Sequence, residues 1–166
     1  LLLDVGRYLK LGEVERKSKE IRNSVLKTIV AFLNTRGGDL LLGVLESPRF
    51  DAYESEALSK CIKVGDRLVC GIELDLDGQD FDWYTRALFD LLKQHVGTLP
   101  IDRKLVEVEE LPAYKGLRTC VVRVEPSPKK QFLDGDFYVR RGPATDKLTA
   151  AEVEDFWENR TFCTRD

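Results

Sequence analysis

The sequence has no methionine, a single histidine and no pair of cysteines at a CxxC spacing. Structural zinc sites use closely spaced thiolates and imidazoles, so a tetrahedral zinc site is not expected. A Cys–His or Ser–His catalytic pair would have to use His95, which falls at the end of a predicted helix, where the helix dipole favours a cationic side chain. Because methionine is absent, we expect the 166-residue chain to be a fragment of a larger protein.

The sequence also lacks long hydrophobic runs. No uninterrupted apolar stretch approaches the ~20 residues that a membrane-spanning helix requires, and Leu1–Leu3 is too short for the core of a signal peptide. Cys70 and Cys120 each lie in an apolar run, where cysteine usually acts as a small hydrophobic residue. We therefore expect a reduced, cytoplasmic protein without membrane contacts.

The chain carries no strong excess of charge of either sign, with 26 Lys and Arg, 29 Asp and Glu and a net charge of −3. The balance changes along the chain, with nine basic and six acidic residues in 1–50, five and ten in 51–100, and twelve and thirteen in 101–166. An indiscriminate nucleic-acid binder is usually basic overall. Binding to nucleic acid would therefore need a local basic patch, whereas the acidic middle could dock a basic partner.

Hydrophobic spacing predicts the first helix and the strand that follows it. Apolar residues recur at intervals of three and four from Ile21 to Phe32, after a possible N-cap at Ser18. The helix is predicted to end in a turn over residues 34–38, and Asp39–Val44 is predicted to be a strand buried on both faces. Residues 1–17 are predicted to flank the domain. Residues 46–66 are predicted to be an insertion-like loop, with a short helix over Glu54–Lys63 as the alternative.

The remaining patterns predict mostly strands. Further strands are expected at 67–76, 104–111 and 117–124, a helix at 81–97, a turn at 112–116, a hairpin around Asp134-Gly135, and a last helix opened by a capping box at Thr149-Ala150-Ala151-Glu152. The order α-β-β-α-β-β-β-α predicts an α+β fold. We expect a mainly antiparallel sheet with two long helices and a C-terminal helix, in a single domain over residues 1–166.

Two groups of residues could bind an anion. Arg36, Gly37 and Gly38 form a turn at a helix–strand junction, where turn amides can bind an anion, although a Gly pair is also common in a turn for steric reasons alone. Arg140 and Arg141 are adjacent on a predicted strand and must point to opposite faces, so at least one can reach solvent. The alternative is that one pairs with a carboxylate and the other covers apolar surface. Lys129 and Lys130 could extend the same positive stripe.

Carboxylates offer a different chemistry. Glu13 and Glu15 precede the first helix and Glu46 follows the first strand, and clustered acids can hold Mg²⁺ or Mn²⁺ for phosphodiester cleavage. With 29 acidic residues in the chain, chance neighbours are expected, and most such residues are solvated at the surface.

The segment from Val25 to Val44, with Ala31-Phe32-Leu33-Asn34-Thr35-Arg36-Gly37-Gly38 at its centre, resembles the signature of the Schlafen AlbA_2 domain, a family described as DNA-binding. Three later stretches fit in the expected order: Gly71-Ile72-Glu73, Phe81 to Gly97, and Phe137-Tyr138-Val139-Arg140-x-Gly142-x-x-Thr145 followed by Leu148 and Glu152. The resemblance covers residues 20–157. It implies binding to DNA or RNA, as one module of a larger regulatory or defence protein.

The resemblance also implies an alternative function. In eukaryotic Schlafens the related fold carries a three-carboxylate endoribonuclease site, built from a Glu-x₄-Glu-Phe-Lys-like stretch before the first helix and from acids after the Gly-Val strand. Here no Glu-Phe-Lys occurs, and the acidic pair after Gly-Val is Leu45-Glu46. A metal-dependent nuclease using Glu46 with Glu13 or Glu15 is therefore the alternative, and it alone would need Mg²⁺ or Mn²⁺.

The sequence thus predicts a domain that binds nucleic acid through phosphate contacts and needs no metal or other cofactor. The expected contact residues are Arg36, Lys129, Lys130, Arg140 and Arg141, with Gly37 and Gly38 shaping the turn. A second alternative is a protein-interaction or oligomerisation module, because exposed edge strands make a homo-oligomer plausible.

Overall fold

The computed structural model describes residues 23–46, 61–72, 76 and 78–160. The main elements in chain order are α1 (23–33), β1 (Gly38–Leu42), β2 (Val44–Glu46), β3 (Ile62–Val64), β4 (Arg67–Val69), α2 (Phe81–His95), α3 (Leu99–Asp102), β5 (Val106–Tyr114), β6 (Leu117–Val124), β7 (Phe137–Arg141), β8 (Ala144–Leu148) and α4 (Ala150–Glu158). The predicted α+β class is confirmed. None of the helices in these ranges is long and apolar enough to cross a membrane.

The strands form three sheets rather than one. The first has the order β1-β6-β5, the second β2-β4-β3, and the third is the pair β7-β8. The pairs β2–β4, β3–β4 and β7–β8 are antiparallel. In the third sheet Phe137 lies opposite Leu148 and Arg140 lies opposite Thr145.

The chain divides into two compact units. The first comprises Leu1–Val25, Leu41–Thr85 and Val108–Val122, and the second comprises Leu26–Leu40, Arg86–Glu107 and Arg123–Asp166. Arg36, Gly37, Gly38, Lys129, Lys130, Arg140 and Arg141 all belong to the second unit. The prediction of one domain over residues 1–166 stays a prediction, and the flanking segment 1–17 lies outside the described residues.

The prediction for residues 39–44 is wrong in two respects. Burial alternates along β1, where Asp39 and Leu41 are exposed and Leu42 is fully buried, so the strand is not buried on both faces. The strand also ends at Leu42, because Gly43 adopts φ +86° and the chain continues into the second sheet. A Cβ on Gly43 would lie 3.0 Å from the carbonyl carbon of Gly71, so this position also needs glycine for the close approach of two backbones.

The predicted loop 46–66 contains a strand. Residues 62–64 form β3, which returns through Gly65-Asp66 to pair with β4, and residues 47–60 lie outside the described residues. The strand predicted over 67–76 ends at Val69.

The strand predicted over 104–111 runs on to Tyr114, and the turn predicted at 112–116 consists only of Lys115 and Gly116. Both turn residues have positive φ (49° and 87°), as a two-residue hairpin turn of type I′ requires. Pro112 can remain within β5 because β5 is an edge strand, where proline need not donate a ladder hydrogen bond.

The later elements follow the sequence patterns more closely. Helix α2 ends at His95, β6 has the predicted bounds, and Thr149 caps α4 in a complete capping box with Glu152. The Asp134-Gly135 turn is closed by an isolated bridge between Leu133 and Asp136. The longer hairpin of this region is β7–β8. Its two strands and α4 share a core of Phe137, Val139, Leu148 and Val153, against which Phe156 and Trp157 pack.

Candidate functional site

The candidate residues lie on segments that are hydrogen-bonded to the C-terminal end of α1. The side chain of Asn34 makes three of these hydrogen bonds. Its side chain is fully buried. Its Nδ2 donates to the carbonyl oxygens of Gln131 (2.8 Å) and Tyr138 (3.0 Å), and its Oδ1 accepts from the Gln131 N–H (2.9 Å). One amide therefore joins the end of α1 to the loop 125–131 and to strand β7.

Arg160 reinforces the same junction from the end of α4. Its guanidinium donates to the carbonyl oxygens of Leu33 (3.2 Å), Thr35 (2.8 Å) and Ser127 (3.0 Å). The last carbonyls of a helix have no partner within the helix, and a cation there opposes the helix dipole. Burial lowers the pKa of Arg160 to about 10, a value still well above neutral pH. The sequence carried no signal for this role.

The Gly37-Gly38 turn is sterically demanding. Gly37 has φ +72°, and a Cβ on it would lie 2.3 Å from the Val124 carbonyl oxygen; one on Gly38 would lie 2.7 Å from the Phe32 ring. The Gly37 N–H donates to the Phe32 carbonyl oxygen (3.0 Å) and so closes the helix end. Close packing therefore accounts for Gly37 and Gly38, and the Gly37 amide is engaged within the protein.

Arg36 and Lys129 lie on neighbouring turns. Arg36 is exposed. The next residue, Gly37, packs closely against Pro126 of the second turn, since a Cβ on Gly37 would lie 3.2 Å from Pro126 Cδ. The Ser127 N–H donates to the Leu33 carbonyl oxygen (2.7 Å), and the Ser127 hydroxyl donates to the Lys129 carbonyl oxygen (2.8 Å), which fixes the second turn beside the first. Within the part of the chain that the structure describes, neither cation has an acidic partner.

Arg140 is half-buried next to this pair of turns. Its guanidinium carbon lies 5.6 Å from the centroid of the Phe32 ring, and Nη1 donates to Thr145 Oγ1 (2.9 Å). The same ring contacts Gly38. Stacking on an aromatic face holds a guanidinium without neutralising it, so Arg140 keeps its charge for a ligand.

Arg141 and Lys130 have acidic partners. Arg141 Nη1 lies 3.7 Å from Asp146 Oδ2, and Lys130 forms an ion pair with Glu154 of α4. Successive strand residues point to opposite faces, so Arg141 shares the face of Phe137 and Val139 rather than that of Arg140. The structure thus places Arg36, Lys129 and Arg140 around the end of α1, while Arg141 and Lys130 contact carboxylates.

The sequence matches the family model "Schlafen, AlbA_2" over residues 10–149. The chain belongs to the Schlafen AlbA_2 family. The match includes every candidate residue named above except Arg160, which follows it in the chain. No curated protein and no solved structure matches the sequence.

Two cations of this AlbA_2 chain lie beside Tyr138 and were missed at the sequence level. Lys27 Nζ is 5.5 Å from the centroid of the Tyr138 ring, and Lys147 is the cross-strand neighbour of Tyr138. Lys147 Nζ also contacts Asp136 Oδ1 (2.8 Å), which lowers the pKa of Asp136. The sequence could have indicated Lys147, because a hairpin predicted with its turn at Gly142-Pro143 pairs Lys147 with Tyr138.

The carboxylates of the nuclease alternative fall mostly outside the described chain. Glu13 and Glu15 lie outside the described residues. Glu46 is the last residue of β2, where it pairs with Arg67 of β4, and its side chain is not among those that the structure describes. Among the described residues, no three His, Cys, Asp or Glu side chains are grouped so that they could hold a metal ion. The nuclease alternative stays a prediction.

Proposed function

We propose that this Schlafen AlbA_2 chain binds the phosphate backbone of nucleic acid, with Arg36, Lys129 and Arg140 as the principal contacts. The observation that carries the proposal is the grouping of these cations at the end of α1, two of them without an acidic partner among the described residues. Membership of the AlbA_2 family supports it, because the resemblance to this family implies binding to DNA or RNA.

Preorganisation favours this use of the site. Asn34 and Arg160 tie together the turn that carries Arg36, the loop that carries Lys129 and the strand that carries Arg140. The backbone of all three positions is fixed before binding, so less ordering entropy is lost when phosphates dock. Arginine on an aromatic face and exposed lysine are both suited to phosphate oxygens.

Lys130 and Arg141 take a secondary part in this proposal. Each would have to exchange a carboxylate for a phosphate, and the Coulombic gain of the new contact is reduced by the loss of the old one. Gly37 and Gly38 shape the turn. Lys27, beside Tyr138, adds a further positive charge.

Binding of this kind needs no cofactor, and we propose that the domain acts in the cytoplasm as part of a larger regulatory or defence protein.

The test is the salt dependence of oligonucleotide binding. The double variant Arg36→Gln/Lys129→Gln should bind duplex DNA more weakly and lower the slope of log K against log[salt] by about 1.8, because each lost phosphate contact removes about 0.9. The matched control is Lys63→Gln/Lys115→Gln, two exposed lysines of the first unit, which should leave the slope unchanged. Fluorescence anisotropy on duplex DNA, single-stranded DNA and RNA also ranks these ligands.

Equal slopes for the parent and both double variants would refute the placement of the interface. Light scattering with and without oligonucleotide distinguishes an oligomerisation module, which would self-associate without binding. Incubation of RNA with Mn²⁺ addresses the nuclease alternative: metal-dependent cleavage that Glu46→Gln abolishes would favour it.

A further inference from the structure

Cys61 and Cys70 are the residues that adjoin the open end of hairpin β3–β4, one before β3 and one after β4. The two strands are antiparallel, with Ile62 opposite Val69 and Val64 opposite Arg67, and Gly65-Asp66 is the connecting turn. Continuing this register by one residue pairs Cys61 with Cys70. Both side chains are half-buried and both are thiols, not disulfides.

The register decides which kind of pair this is. In a hairpin with a two-residue turn the pair next to the turn, Val64 and Arg67, is hydrogen-bonded, and hydrogen-bonded and non-hydrogen-bonded pairs then alternate. Cys61 and Cys70 therefore form a non-hydrogen-bonded pair. In agreement, the Cys70 N–H points away from β3 and donates to the Gly43 carbonyl oxygen (2.9 Å).

A non-hydrogen-bonded pair brings the two side chains close enough for a covalent bond. Such pairs have Cα atoms ~4.5 Å apart, with the side chains closer than in hydrogen-bonded pairs. Disulfides span Cα separations of about 4.4–6.8 Å, so the separation typical of this kind of pair is compatible with a bond between Cys61 and Cys70.

The two thiols interact. Their interaction lowers the pKa of Cys61 and raises the pKa of Cys70, while the Cys70 thiol donates to the Leu68 carbonyl oxygen (3.9 Å). Cys61 is thus the thiol that ionises first and acts as the nucleophile, and Cys70 is the resolving thiol.

We propose that Cys61 and Cys70 are a redox-active dithiol, which a low-molecular-weight disulfide of the glutathione class oxidises to an intramolecular disulfide. The Cys61 thiolate attacks one sulfur of the oxidant and expels the first glutathione thiolate, giving a mixed disulfide. Cys70 then loses its proton to solvent, attacks Cys61 Sγ and expels the second glutathione. Two protein thiols are oxidised and one glutathione disulfide is reduced to two glutathiones.

This site shares no residue with the proposed nucleic-acid interface, because both cysteines belong to the first unit and the interface residues to the second. The chain also provides an internal control. Cys120 is fully buried and should not react with the oxidant while the protein is folded.

The experiment is intact-mass and peptide-mapping analysis after exposure of the reduced protein to glutathione disulfide. A Cys163→Ser background removes the cysteine that lies outside the described residues. In that background we expect a mass decrease of about 2 Da and a Cys61–Cys70 cross-linked peptide. Adding Cys70→Ser should trap the first step, with a gain of about 305 Da from one glutathione on Cys61.

An unchanged mass, a stable glutathione adduct in the background protein, or a cross-link that includes Cys120 would each overturn the proposal. Because the mapping of the background protein decides the question by itself, a Cys70→Ser variant that failed to fold would not affect the conclusion. Binding of oligonucleotide to the reduced protein is measured separately, so failure of the interface proposal would leave this result intact.

Discussion

Replacement of Asn34 by alanine tests whether one buried amide holds the candidate site together. The substitution removes three hydrogen bonds and leaves the Gln131 N–H, the Gln131 carbonyl and the Tyr138 carbonyl without this partner inside the protein. An unsatisfied buried polar group costs about 1–3 kcal/mol; with about 1–2 kcal/mol for each of the three groups, we expect a loss of about 3–6 kcal/mol in the free energy of unfolding.

The loss is large relative to the total, because domains are stable by only about 5–15 kcal/mol. With a urea m-value of about 2 kcal/mol/M, the midpoint of unfolding followed by circular dichroism should fall by about 1.5–3 M. Asn34→Asp should be no better, since its carboxylate would face two carbonyl oxygens. Asn159→Ala removes an exposed amide that donates to Asp155, and should change the stability by less than about 0.5 kcal/mol.

The reasoning would be refuted if Asn34→Ala unfolded within about 1 kcal/mol of the parent protein, because water or a backbone shift would then satisfy the three groups without the side chain. A substitution of Asn34 that kept the stability of the protein but weakened oligonucleotide binding would agree with the reasoning, since Asn34 orients the elements that carry Lys129 and Arg140.

Three further predictions concern stability. Gly37→Ala should lower the melting temperature more than Gly142→Ala, because both have positive φ but only the first Cβ would meet an atom, the Val124 carbonyl oxygen at 2.3 Å; equal losses would contradict this. Thr149→Ala should cost about 1 kcal/mol through loss of the helix cap, measured by urea unfolding, and no change would show that the cap is dispensable. The Thr149 N–H and hydroxyl lower the pKa of Glu152 from 4.5, so its contribution is present above pH 4.5 and is lost as the pH falls through the lowered pKa. The difference in melting temperature between the parent and Glu152→Gln should therefore vanish in acid, and a constant difference would contradict the assignment.

Local patterns predicted the elements whose signals are local. The capping box at Thr149, the helix from Phe81 and the bounds of β6 all follow from residues close together in sequence. The end of β1 at Leu42 could not be predicted in this way. It depends on the close approach of Gly71 to Gly43, and Gly71 belongs to a segment further along the chain.

The same distinction applies to the site. The alternation of strand residues predicted that Arg140 and Arg141 would point to opposite faces. The alternative stated for this pair, in which one arginine pairs with a carboxylate and the other covers apolar surface, is what the structure shows, but the sequence could not name Asp146 and Phe32 as the partners. Arg160 lies 125 positions from Thr35, and no spacing rule connects them. Long-range partners of single polar side chains leave no periodic trace in a sequence.

The three carbonyl contacts of Arg160 have a practical consequence for where this polypeptide can be shortened. The family match ends at residue 149, yet a chain cut there would lose α4, with Val153, Phe156 and Trp157 from the packing around Phe137, and the guanidinium that closes the end of α1. The smallest piece that preserves the architecture of the second unit therefore extends at least eleven residues past that boundary, to Arg160.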